Sequence, residues 1–162
     1  MPADEVDHRL GLVLALDGPT GVGVSTTLAA LQRAWPAVRS GPLLDVGLDH
    51  ARRSFGPELD RWADLLESPQ PSRDAAGHWG PLGRELVRTL PKVAALWSRA
   101  GWDVGIDLVL RDRATSSELY EAMSGLPYLH IGLTCDPDVL EDRARVDGTY
   151  GDLRARRAVA ES

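Results

Sequence analysis

The chain has 162 residues, 43% of them apolar, and a formal net charge of -6. That length and apolar content suit one compact domain over residues 1–162, while the acidic balance argues against nucleic-acid and membrane-surface partners, which are usually met by basic faces. The single cysteine, Cys135, excludes an internal disulfide, and with neither a signal-like N-terminus nor a membrane-length apolar run of about 18 residues the expected location is the cytoplasm.

The apolar run Leu12 to Leu16 predicts a first strand over 11–17. It runs into Gly18-Pro19-Thr20-Gly21-Val22-Gly23-Val24-Ser25-Thr26 and then a helix over 24–34 with Leu28 and Leu31 on one face. A strand, a glycine-rich turn with Gly18 and Gly23 five apart, and a helix together make a phosphate-binding loop. Glycines let backbone N–H groups converge on an anion without a Cβ in the way, and the helix N-terminus adds partial positive charge. Gly18, Gly21, Gly23, Val24, Ser25 and Thr26 are therefore the expected nucleotide-contacting residues, with the Ser25 hydroxyl the expected Mg²⁺ ligand. The position that carries lysine in such loops is Val24. Opposite charges ~4 Å apart interact by about 4 kcal/mol at an effective dielectric near 20, so loss of that ammonium weakens binding of a triphosphate. Only Lys92 is a lysine, against seventeen arginines, and Arg111 or Arg113 is a candidate to compensate.

Trp35-Pro36 ends the first helix, because proline disfavours the helical region at the residue before it. A second strand is expected over 43–46, then Asp49 and one or two helices to about Leu66. Asp49 stands at the end of that strand, on the edge where open α/β sheets bind ligands, and is the candidate general base. Its alternative role is to N-cap a helix starting at His50. Residues 68–80 are rich in Pro, Gly and Ser and predict a loop over the site. Trp79 in that loop is the tryptophan suited to stacking on a substrate. A long amphipathic helix follows from Pro81 to about Ala100, stopped by Gly101, with Pro91 expected to kink or split it. The third strand is expected over 103–110, a helix over 116–123 and a fourth strand over 128–134. Cys135-Asp136-Pro137-Asp138 opens a charged helix that Gly148 to Gly151 interrupts, and 152–162 reads as a last short helix. Asp107, on a strand beside the loop strand, is the candidate second Mg²⁺ site residue. Asp17, immediately before the loop, is expected to bond loop backbone. The alternation of strands and helices gives a three-layer α/β domain of the P-loop NTPase type, with a parallel sheet of four or five strands flanked by helices.

Four stretches together resemble the chloramphenicol phosphotransferase-like family of P-loop kinases: the loop itself; Leu43-Leu44-Asp45-Val46-Gly47-Leu48-Asp49; Gly80-Pro81 with its long helix to Ala100-Gly101 and Val104-Gly105-Ile106-Asp107; and Ile131 to Asp136 leading to Glu141-Asp142-Arg143-Ala144-Arg145. The resemblance implies ATP- and Mg²⁺-dependent phosphoryl transfer to a hydroxyl of a small molecule, Asp49 as base, and Arg143 and Arg145 as lid arginines closing over phosphates. Val24 departs from that pattern at the lysine, Leu108 at a second acid after Asp107, and the lid around 143–151 is short. These departures cluster on the nucleotide side. They leave open a nucleotide-independent binding or regulatory protein, or an enzyme with a new reaction, on the same scaffold.

Overall fold

The computed structural model describes residues 9–19, 21–54, 81–108, 110 and 113–146. Four strands, β1 (Val13–Asp17), β2 (Leu43–Asp45), β3 (Asp103–Asp107) and β4 (Tyr128–Gly132), form a parallel sheet in the order β2-β3-β1-β4. The helices are α1 (Val24–Ala34), α2 (Leu48–Arg53), α3 (Pro81–Arg99), α4 (Arg113–Ala122) and α5 (Pro137–Val146). The α/β class and the parallel sheet expected from the sequence are both present.

Period-two alternation on β1 shows why the sheet is covered on both faces. Val13 and Ala15 join Val104, Ile106, Val87, Leu90, Ala94 and Leu119 in a core under α3 and α4. Leu14 and Leu16 point the other way, into a second core with Val24, Leu28, Trp35 and Leu43. A strand that is apolar at consecutive positions can satisfy two layers only if helices pack on either side.

The predicted boundaries shift for identifiable reasons. The third and fourth strands are expected to reach 110 and 134 but end at Asp107 and Gly132. Both lie beside β1, which turns away at Gly18, so their ladder partner ends: Leu108 N–H reaches Leu16 O and Leu133 N–H reaches Asp17 O as the last such bonds. α2 begins at Leu48, two residues before the expected His50, because Asp45 Oδ1 accepts the Gly47 N–H at 2.7 Å and Gly47 C=O accepts the Ala51 N–H. Asp49 therefore sits in the first turn instead of capping it. Pro91 does not split α3, which runs from Pro81 to Arg99 with Pro91 fully buried. Trp35 and Pro36 continue α1 as a 3₁₀ turn, Trp35–Ala37. α4 starts at Arg113, a turn before expected. The expected helix to Leu66, the 68–80 loop with Trp79, Arg111, and everything from 147 onward lie outside the described residues.

Gly11, just before β1, ties the strand to the end of α3: its N–H reaches Ser98 O at 2.8 Å, and the buried Ser98 hydroxyl donates to Gly11 O at 2.6 Å. A Cβ at this position would run into the Trp102 carbonyl, which is backbone and cannot rotate aside. Gly11→Ala is expected to cost about 1–3 kcal/mol, the range for overpacking, seen as a lower urea midpoint at unchanged slope.

Candidate functional site

The loop after β1 is held open at its helix end. Gly23 has φ 104°, the left-handed region that favours glycine, and α1 begins at Val24 with no side chain capping it. A helix N-terminus entered this way directs its backbone N–H groups toward the space above the loop. At the loop's other end, Asp17 Oδ1 accepts the Gly18 N–H at 2.8 Å and the Leu110 N–H at 3.3 Å, tying the loop to the chain after β3. Asp17 bonds loop backbone, as its position in the sequence suggested.

Strand order then brings two distant residues together. β3 lies next to β1, and Ser25 in the first turn of α1 donates its hydroxyl to Asp107 Oδ2 at 2.6 Å, across 82 positions of sequence. The turn before α2 abuts the same spot: a Cβ on Gly47 would lie 2.9 Å from the Asp107 Cβ. The first turn of α2, with Asp49 in its backbone, therefore starts beside Asp107.

Val24 is 9% exposed and packs with Leu14, Leu16, Leu28, Trp35 and Leu43. Its isopropyl group extends the core beneath the loop and adds no charge to it. A cation arrives from elsewhere. Arg143 of α5 donates from Nη1 to Gly21 O at 3.0 Å and to Val22 O at 3.1 Å, so a guanidinium is seated on the loop from across the site. Leu140, one turn earlier in α5, lies 4.0 Å from where a Cβ on Gly21 would be, so the helix also packs on the loop. Arg145 lies in the same helix; Arg113 opens α4 and is exposed. Thr26 follows Ser25 in the first turn of α1.

A polar cluster beside the loop carried no sequence signal beyond Tyr128 and His130 alternating along one strand. His130 Nδ1 lies 3.1 Å from the Tyr120 hydroxyl, and His130 Nε2 lies 3.9 Å from Asp17 Oδ2. Among the described residues the Tyr128 hydroxyl and His130 Nε2 are buried without a hydrogen-bond partner. Burial, with Tyr120 and Asp17 nearby, pushes the Tyr128 phenol up to about 12, so it stays neutral at physiological pH.

No protein-family model matches the chain, and no curated protein matches it. Solved structures do. The chain is similar to APE1195 (TM-score 0.62, 17% identity, 91% of this chain and 74% of that one). It is similar to the APS kinase of Mycobacterium tuberculosis (TM-score 0.57, 16% identity, 87% of this chain and 97% of that one). A gluconokinase from Sinorhizobium meliloti 1021 matches with TM-score 0.57 and 17% identity over 95% of this chain and 75% of its own. At such identities the likeness is one of fold: a parallel sheet flanked by helices.

Proposed function

We propose that this chain is a P-loop phosphotransferase that moves the γ-phosphoryl group of ATP to a hydroxyl of a small molecule, of the kind its resemblance to chloramphenicol phosphotransferase-like kinases implies. The observation that carries the reading is the Ser25–Asp107 hydrogen bond at the base of an uncapped, glycine-opened helix N-terminus. A hydroxyl and a carboxylate meeting there form the donor set that phosphoryl-transfer sites use around Mg²⁺. Bound Mg²⁺ would offset phosphate charge at Ser25 and Asp107.

In this reading the amides after Gly23 hold phosphate oxygens, and Gly18 and Gly21 shape the loop around them. Arg143 supplies the positive charge that Val24 does not, with Arg145 beside it on the lid helix. Asp49 accepts the proton of the acceptor hydroxyl as its oxygen bonds to the γ-phosphorus and the bond to the β,γ-bridging oxygen breaks. The acceptor itself is a small hydroxyl compound, and the antibiotic in the family's name is not assigned to it.

The buried, apolar Val24 favours a second reading, a binding or regulatory protein that keeps the anion-shaped loop without using nucleotide. Calorimetric titration of ATP·Mg²⁺ separates the two. Micromolar to millimolar binding by the native chain, tightened at least tenfold in Val24→Lys, supports the kinase reading. An added ammonium at ~4 Å is worth at most about 4 kcal/mol, and its stem can cover the core face that Val24 covers now. No binding by either chain sinks the kinase reading and leaves the nucleotide-independent one.

A further inference from the structure

Opposite the loop, at the amino ends of the strands, lies a cavity of ≈ 740 Å³ bordered by Arg9, Arg39, Arg99, Trp102, Pro42 and Val38. It is separated from the loop by the length of β1 and β3, about 15 Å for five residues. Its volume falls within the range of small-molecule sites, roughly 300–1,000 Å³.

The charges around it are unequal. Asp103 accepts four hydrogen bonds, from Leu12 N–H, Trp35 Nε1–H, and Arg39 Nε and Nη2, all at 2.8–2.9 Å. Its carboxylate is thus saturated and neutralised by Arg39, so it offers little repulsion to an incoming anion. Arg9 and Arg99 are different: among the described residues neither has an ion pair or a side-chain hydrogen bond. Among the described residues, two guanidinium groups without an ion pair thus border the cavity, a local concentration of positive charge in a chain of net charge -6. Beside them, Trp102 is 42% exposed and Val38 73% exposed, so an indole and an isopropyl group supply apolar surface at the cavity's edge. Guanidinium groups bind phosphate bidentately, and an indole stacks on planar rings.

We infer that this cavity is a second ligand site, for a planar aromatic compound bearing a phosphate monoester, with Arg9 and Arg99 on the dianion and Trp102 against the ring. It does not rest on the proposed phosphotransferase activity, because none of the described loop residues borders it.

Phenyl phosphate is the probe. The reading is the indole N–H resonance of Trp102 in ¹H–¹⁵N spectra of the full chain, assigned as the one lost in Trp102→Phe. The expected result is a saturable shift of that resonance at millimolar phenyl phosphate, with inorganic phosphate and benzoate at least tenfold weaker. Arg9→Gln and Arg99→Gln are each expected to weaken phenyl phosphate about tenfold at an unchanged melting temperature, both side chains being exposed. Ser25→Ala should leave the titration as it is. No shift at Trp102, or a shift that survives both arginine substitutions, overturns the site. Equal binding of inorganic phosphate overturns its aromatic half, and equal binding of benzoate overturns the preference for a dianion.

Discussion

Asp103→Ala is expected to destabilise the chain by about 3–5 kcal/mol, the range for breaking a buried charge pair by removing one partner. Asp103 is 9% exposed, and the alanine would strand the Trp35 indole N–H, the Leu12 amide and the Arg39 guanidinium together. Trp35 is itself 7% exposed, so water does not readily replace the lost acceptor. Arg39 is better placed to recover water, with 27% of its side chain exposed, which puts the expected value toward the lower end. Urea unfolding followed by tryptophan fluorescence measures the loss, and a change under 1 kcal/mol would contradict the network's role.

The same carboxylate sets a pH dependence. Burial pushes the Asp103 carboxyl up, but hydrogen bonds from Arg39, Leu12 and Trp35, with the Arg39 charge, outweigh it and hold the group below its ordinary value. A carboxyl lowered by folding contributes stability that is fully present above its unfolded value, near ~3.9, and is lost as pH falls through its folded value. Unfolding free energy measured from pH 7 down to pH 2 should therefore drop more steeply through the acid range in the native chain than in Asp103→Asn. Parallel acid limbs would show that other carboxylates govern the decline.

Asp107→Ala and Asp49→Asn are expected to fail in different ways. Removing the carboxylate that meets the Ser25 hydroxyl should weaken Mg²⁺-dependent ATP binding about 10–100-fold, with Mg²⁺-free nucleotide binding changed much less. Asp49→Asn should leave ATP·Mg²⁺ binding within a few-fold and reduce turnover by about 10²–10⁴, the contribution of a positioned general base. Calorimetry with and without Mg²⁺, paired with phosphate transfer to an accepted hydroxyl compound, reads both. Loss of binding in Asp49→Asn, or equal losses with and without Mg²⁺ in Asp107→Ala, would reverse the assignment.

Much of the layout was legible because the signals were local. The apolar run Leu12 to Leu16, the Gly18–Gly23 spacing and the Gly101 stop each act within a few residues, so β1, α1 and α3 fall close to where periodicity puts them. Boundaries failed where the cause was a neighbour in space or an unrecognised local turn. β3 and β4 ended early because β1 did, and α2 began early because Asp45 and Gly47 formed its entry turn. Pro91 carried a strong local signal for a break, and it was overridden by complete burial within a long helix packed on the sheet.

The sequence by itself determined the alternating α/β order, the shape of the loop and the absence of lysine from it. The tertiary structure decided what surrounds that position. Val24 turned out to be a core residue under the loop, and Arg143, more than a hundred positions away, was placed on Gly21 and Val22 by α5. The meeting of Ser25 with Asp107, and of Asp103 with Trp35 and Arg39, likewise depends on β3 inserting between β2 and β1. Periodicity reports which face of an element is apolar; only the crossover order of the sheet fixes which distant side chains share an edge.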